Sequence, residues 1–505
     1  MSKLDDHTDL MRDLAKNADN MDPHWTLSRR SFMRSGVAAA AVIGMPFSLL
    51  GSGAVRAASL PYSPDYGPLE PVLDEVTRLP LLRLPEGFKY WSTGWTGDIM
   101  SDGIATPGAH DGMAVVAADA NRIVLVRNHE QGSVNANGGS FLPGTKGVYD
   151  RNTNGGTTNL VFAPQQRKWI SSWASLSGLI RPCAGGPTPW NTWISSEETS
   201  VGPMTNVNAL KQHGYNFEVP ASGISNAVPL VDMGCFSHEA VAVDPVTGYI
   251  YETEDSTPSG FYRFKPTVPG RLAMGGTLQM MKLKTATNAT TVILGTTYNY
   301  FNTALENTIG TTWDVEWVNI DEPNKPFVTG TSYGGVRAQG LVQGASSIAR
   351  GEGCWYGNGV IYLCSTSGGS ANNGQIFAYD PRRETLTLLF VSLSDGPDGV
   401  DSPDNIAWSP RGSLILCEDG GASPQQLRGL TLDGTVFPFC ATNMDFRAGE
   451  SVGPVTRPSG RTFSNDARGN EWAGATFHNE WLFANAYGSP GVTFAITGPW
   501  DNGAL

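Results

Sequence analysis

The sequence predicts an all-β protein of the β-propeller type, and three observations carry that expectation. An acid or a cysteine beside small residues opens a hairpin-like stretch six times, and another acid or polar group follows about one hairpin later. Sixty Gly and 33 Pro among 505 residues, with 14 Trp and 16% charged residues, suit many short strands joined by tight turns. Long helical periodicity is scarce.

The N-terminus comes first. Ser28-Arg29-Arg30-Ser31-Phe32-Met33-Arg34 is a twin-arginine pattern, followed by an apolar run from Val37 to Leu50 and the small-residue stretch from Ala54 to Ser59. Residues 1–58 therefore read as a Tat export signal cleaved near Ala57 or Ala58, with residues 59–505 as a single propeller domain. The apolar run is short for a membrane span and contains Pro46. The expected location is periplasmic or secreted, with the Tat translocase as a partner during export.

The six stretches follow in order. The clearest are the third, from Glu239 through a Pro/Gly turn to Glu254-Asp255, and the fifth, from Asp404 through a similar turn to Glu418-Asp419. Looser copies open at Asp111, Cys183, Glu352 and Glu471. They end near Asn128-His129-Glu130, at Glu197-Glu198, at Ser365-Thr366 and at Asn485. In a hairpin whose second strand returns to its starting face, the opening and closing residues share one rim. Hairpins arranged radially bring those rims around a central channel. Carboxylates gathered there repel one another and need cations or protons. Any single copy also reads as a solvated turn; recurrence is what favours a site.

Other features narrow the function. The net charge of −13, with no basic run beyond the leader, argues against a nucleic-acid partner. There is no Cys-x-x-Cys among the six cysteines, which argues against a structural zinc site of that spacing. Cys354 and Cys364 flank a short hairpin and read either as a bridge or as buried thiols. Cys183 stands where other copies carry an acid, and a thiolate among oxygen ligands favours a transition metal beside hard cations. Ser237 beside His238 reads as a backbone-orienting pair, and no serine is nominated as a nucleophile. Trp190, Trp193 and Trp355 read as packing between blades.

Arg181-Pro-Cys183-Ala-Gly-Gly-Pro-Thr-Pro-Trp-Asn-Thr-Trp-Ile-Ser-Ser-Glu197-Glu198 resembles the cysteine signature of the PhoX-type alkaline phosphatases. Phe236-Ser-His238-Glu239-Ala-Val-Ala-Val-Asp-Pro and the stretch from Leu84 to Gly103 resemble the same family, and the likeness runs from about residue 80 to the C-terminus. The resemblance implies a six-bladed β-propeller, here with irregular insertions, that holds a mixed iron and calcium cluster. It implies release of phosphate from phosphomonoesters outside the cytoplasm, in the service of phosphate acquisition. Carried over residue by residue, Cys183 resembles the iron-binding thiolate, and Glu198, with Glu197 as its alternative, a cluster carboxylate. Glu239, Glu352 and Asp404 resemble further metal ligands, with Asp419 competing with Asp404. Arg350 of Arg350-Gly-Glu352 resembles the arginine that holds phosphate. Asn128 and Glu130 fall in an Asn-His-Glu element of that family, and His238 reads as a supporting donor or a packed ring. Ser196 departs from the pattern, since many relatives have Cys there.

Two other classes fit parts of the sequence. A calcium-dependent propeller lactonase or phosphotriesterase would use Asp404-Asn405 and leave Cys183 without a role, while a non-catalytic calcium-binding propeller would bind no iron. The stretch from about Lys282 to Gly344 reads either as an insertion beside the active face or as outer strands of one blade. A small phosphoester is the expected substrate and a monomer the expected state.

Overall fold

The computed structural model describes residues 58–132, 139–206, 208–326, 335–393 and 399–505; the twin-arginine stretch and the apolar run of the predicted export signal lie outside them. Each predicted hairpin opens an antiparallel meander. The first runs through His110–Ala118, Ile123–His129, Gly155–Ala163 and Lys168–Leu179, and the second through Pro182–Pro187, Thr192–Glu197 and Asn216–Pro220. The third starts at His238–Val243, the fourth at Gly351–Gly357, the fifth at Pro403–Trp408 and the sixth at Trp472–His478. These six opening strands pack against one another in cyclic order, the sixth returning to the first.

Local chemistry explains the hairpins. In the third meander the Asp244 carboxylate caps the turn by accepting from Val246 N and Thr247 Oγ1, and Gly248 takes φ +70° so that its N–H reaches Asp244 O at 2.8 Å. In the fifth, Ser409 N donates to Ser413 O at 2.8 Å across the Pro/Gly turn. Apolar residues then fill the space between meanders. Trp193, for example, is buried among Ala114, Val126 and Leu176 of the first meander.

The ring is closed by strands from elsewhere in the chain. Lys89–Thr93 pairs with Val492–Thr497 and supplies the fourth strand of the sixth meander, while Leu82–Leu84 pairs with Thr435–Thr442 on the fifth. The N-terminal segment thus ties the last two meanders together. The stretch read as an insertion holds the hairpin Ala289–Ile293/Thr296–Tyr300, the strand Thr312–Asn319 and the helix Gly335–Leu341. Thr312–Asn319 pairs on one side with Gly276–Leu283 and on the other with Thr385–Val391, so it joins the outer edges of the third and fourth meanders into one sheet. Covering those two edges removes unpaired strand surface. Among the described residues no helix is long and apolar enough to cross a membrane.

All six opening strands carry a β-bulge at the same end, where two residues stand opposite one before normal pairing resumes. In five of them the first of the two bulge residues is Asp111, Cys183, Glu239, Glu352 or Asp404. In the sixth it is Gly474, whose added Cβ would stand 2.7 Å from Asp111 O and Met113 N. Glu471 comes three positions earlier, so the sixth predicted copy is displaced in register from the other five. The six cysteines are all free, and Cys354 lies across from Leu363 rather than from Cys364.

Candidate metal centre

The bulge turns five functional side chains toward one rim, and the returning strands add a second ring. The backbone N–H groups of Glu130, Glu198, Asp255, Thr366 and Asp419 donate to the carbonyls of Ala109, Arg181, Ser237, Arg350 and Ser402, at 2.8–3.1 Å. Each acceptor lies two residues before its bulge residue. Four of the five (Ala109, Arg181, Arg350 and Ser402) adopt left-handed φ values of 48–54°, a conformation uncommon for non-glycine residues.

Three groups of potential ligand atoms result, each lying within 4.8 Å: Glu130, Cys183 and Glu198; Glu239, Glu352 and Asp404; and Asp404, Asp419 and Glu471. They form one continuous cluster. Asp404 belongs to two groups, and Cys183 Sγ lies 3.2 Å from Glu239 Oε1 and 3.5 Å from Asp111 Oδ2. Two ligands on opposite sides of a cation at about 2.3 Å stand about 4.6 Å apart, which matches this spread.

Electrostatics points the same way. With Asp111 and Asp255, nine carboxylates share the rim with two guanidinium groups, Arg181 and Arg350. Burial, then neighbouring carboxylates, holds Asp111, Glu239, Glu352 and Glu471 well above the ordinary carboxylate range. Burial pushes Glu198 up to about 9 against the pull of Arg181, and burial with Asp404 pushes Asp419 up to about 7. Cys183 is raised as well, by burial and then by Asp111 and Glu239. Glu239 Oε2 and Asp404 Oδ1 are buried with no hydrogen-bond partner. Buried orphan oxygens are costly, and cations at these groups would satisfy them. The donor set of many hard oxygens and one thiolate fits calcium-like ions together with one softer transition metal.

The arginines hold the edge. Arg350 donates from Nε and Nη2 to Asp255 (2.9 and 3.2 Å) and from Nη2 to Glu352 (2.7 Å). Arg181 donates from Nε to Glu130 at 2.8 Å and from Nη2 to Glu198.

Seven of the residues singled out in the sequence thus meet here as potential ligands: Cys183, Glu198, Glu239, Glu352, Asp404, Glu130 and Asp419. Arg350 stands at their border. Three others lie apart from the cluster. The Glu197 carboxylate is fully engaged with Ile180 N, Gly214 N, Tyr215 N and His213 Nδ1. Successive strand residues face opposite ways, so only one of the Glu pair can point at the rim, and it is Glu198. Asn128 donates from Nδ2 to Cys183 O and Ala184 O and accepts at Oδ1 from Trp193 and Ser195, which makes it a staple between the first two meanders. His238 packs on Phe236, with Nε2 3.1 Å from Gly234 O and Nδ1 3.3 Å from Glu252.

Asp111, Asp255, Glu471 and Arg181 belong to the site although the sequence reading did not nominate them. The repeat pointed to the first three, which open or close its copies. Arg181-Pro-Cys183 has the same spacing as Arg350-Gly-Glu352 and offered the signal for the fourth.

Comparison with known proteins agrees with this geometry. The family model "Alkaline phosphatase PhoX" matches residues 64–173 and 167–491. The solved structure of Pseudomonas fluorescens PhoX in complex with vanadate, a transition state analogue, is similar at 16% identity, covering 89% of this chain and 98% of that one with a TM-score of 0.56. A gluconolactonase from Xanthomonas campestris aligns at 10% identity over 88% of this chain and 99% of its own, with a TM-score of 0.37, too loose a match to bear on the fold. No curated protein sequence matches. Because the family model spans nearly all of residues 64–491, the chain belongs to the PhoX family of alkaline phosphatases, metal-dependent phosphoric monoester hydrolases.

Proposed function

We propose that the mature chain, residues 59–505, is a six-bladed propeller that hydrolyses phosphomonoesters outside the cytoplasm with a mixed iron and calcium cluster at its rim. The observation that carries this reading is the meeting of the one rim thiol, Cys183, with Glu130 and Glu198 beside two all-carboxylate groups that leave Glu239 Oε2 and Asp404 Oδ1 unpaired. Cys183, Glu130 and Glu198 would hold iron, and Glu239, Glu352, Asp404, Asp419 and Glu471 calcium. When bound, these ions supply charge neutralisation for the phosphoryl group and activation of water.

The chain's own residues do the rest. Arg350 is fixed by Asp255 and Glu352 through Nε and Nη2, and its Nη1 takes no partner among the described residues. That leaves one edge of a planar, permanently charged fork for a phosphoryl oxygen. The buried rim lowers the local dielectric and strengthens the interaction. Asp255 keeps the guanidinium in place before substrate arrives, so little side-chain freedom is lost on binding. The twin-arginine stretch supports export, and replacing Arg29-Arg30 by Lys-Lys is expected to retain the precursor in the cytoplasm.

The test is elemental analysis of natively exported protein purified without chelator, paired with p-nitrophenyl phosphate turnover at alkaline pH. Iron and calcium together with turnover are expected. A single calcium without turnover would return the chain to the lactonase or binding-propeller readings.

A further inference from the structure

Arg181 and Arg350 occupy matching places in two meanders. Each lies two residues before a bulge residue, Cys183 or Glu352, and has φ of 48°. Each also accepts at its carbonyl the N–H of the residue that closes its hairpin. Each guanidinium spends Nε and Nη2 on rim carboxylates and leaves Nη1 without a partner among the described residues. Both side chains stay open to solvent, at 47% and 37% exposure, beside carboxylates that are almost fully buried.

The two arms share one sector of the rim. Glu198, held by Arg181, forms a bridge with Ser237, and Ser237 O accepts the N–H of Asp255, which holds Arg350. The Asp255 carboxylate is near enough to Glu198 to contribute to its raised value, after burial and Glu130. The line from Arg181 through Glu198 and Asp255 to Arg350 is therefore continuous, with a guanidinium at each end. Arg181 borders the group containing the thiol, and Arg350 borders the group of Glu239, Glu352 and Asp404.

We propose that Arg181 is a second substrate-binding residue that closes, with Arg350, a two-guanidinium clamp on the transferred phosphoryl group. The inference rests on the phosphatase reading above. A transferring phosphoryl group spreads its charge over three equatorial oxygens, more than one arginine edge can meet. A second fork from the opposite side of the same sector meets the remainder, and it gains strength as that charge develops. Both arginines are held in advance in a backbone conformation that their side chains disfavour, as expected where position matters more than local comfort.

The competing account is that Arg181 merely steadies Glu130 and Glu198 for metal. Arg181→Gln and Arg181→Lys in the full-length, metal-loaded protein separate the two, with Arg350→Gln alongside. The measurements are iron and calcium content, inhibition by inorganic phosphate, and KM against kcat. The clamp predicts full metal content in Arg181→Gln with phosphate inhibition weakened by about tenfold or more, KM raised, and partial recovery in Arg181→Lys. Unchanged phosphate inhibition overturns it, and so does metal loss in step with lost activity, because Arg181 would then act only through Glu130 and Glu198. A wild-type protein that neither binds phosphate nor hydrolyses phosphomonoesters would sink the functional reading itself. That outcome is distinct from an active wild type indifferent to Arg181.

Discussion

Cys183 Sγ lies 3.2 Å from Glu239 Oε1, so the opening strands of the second and third meanders meet through a thiol and a carboxylate, both buried. In the absence of a cation the two groups repel once both are ionised, and burial together with neighbouring carboxylates raises both above their ordinary values. A metal ion removes the conflict by taking both as anions.

Cys183→Ala is therefore expected to remove iron and to lower phosphatase turnover by about a thousandfold or more, since the iron's share of charge neutralisation and water activation is lost. The fold should survive, because only one small buried side chain is shortened and neighbouring Ala184 and Gly112 already define the close approach of the strands. Elemental analysis with circular dichroism checks this. Full iron content and activity in the variant would remove Cys183 from the centre.

The hairpins and their turns were legible because period-two alternation and Pro/Gly turns are local. Asp244 and Gly248 close their turn with contacts inside five residues. The bulge was not legible. It adds one residue per opening strand without a sequence mark of its own, and so Glu471 read as equivalent to Asp404 although Gly474 holds that place. The choice between Glu197 and Glu198 depended on which face the strand end turns to the rim, and His213, which claims Glu197, comes from a separate loop. Thr312–Asn319 was unreadable for a similar reason, because its meaning lies in two distant edges that it pairs.

Metal removal should make stability depend strongly on pH. Glu198 at about 9 and Asp419 at about 7 hold protons in the folded chain that an unfolded carboxylate releases at about 4. The native state then binds more protons than the unfolded state, so the stability of metal-free protein falls as pH rises from about 5 to about 9. Added calcium should flatten that fall by replacing protons with bound charge. Melting temperatures of chelator-treated protein across this range, with and without calcium, provide the check; a flat metal-free profile would mean that the carboxylates are not gathered as described.

Asn128→Ala is expected to cost about 2–4 kcal/mol of stability while leaving metal content per folded chain intact. The Asn128 amide is buried and makes four hydrogen bonds, to Cys183 O at 3.0 Å, Ala184 O at 2.6 Å, Trp193 Nε1 at 3.0 Å and Ser195 Oγ at 2.9 Å. Removing it strands two donors and two acceptors between meanders. Denaturant unfolding read beside elemental analysis distinguishes the roles: unchanged stability with lost metal would make Asn128 a ligand after all.

His213 offers a last test, away from the metal groups themselves. Its Nδ1 lies 2.6 Å from Glu197 Oε1 and its Nε2 3.4 Å from Asp150 Oδ2, all of them buried. Burial alone would lower the imidazole, but the Glu197 and Asp150 carboxylates outweigh it and raise His213 to about 9. A histidine raised in the folded state contributes stability that is complete below its unfolded value of about 6.5 and is lost as pH rises through about 9. His213→Gln should thus cost about 3 kcal/mol near pH 6, because it leaves the buried carboxylates without their cation, and the difference from wild type should shrink above about pH 9. Comparing the two proteins cancels the pH dependence of the metal groups. Since Glu197 also receives the N–H of Ile180, next to Arg181, a cost that did not vary with pH would show that His213 acts by packing alone and that the ion pair does not anchor this part of the rim.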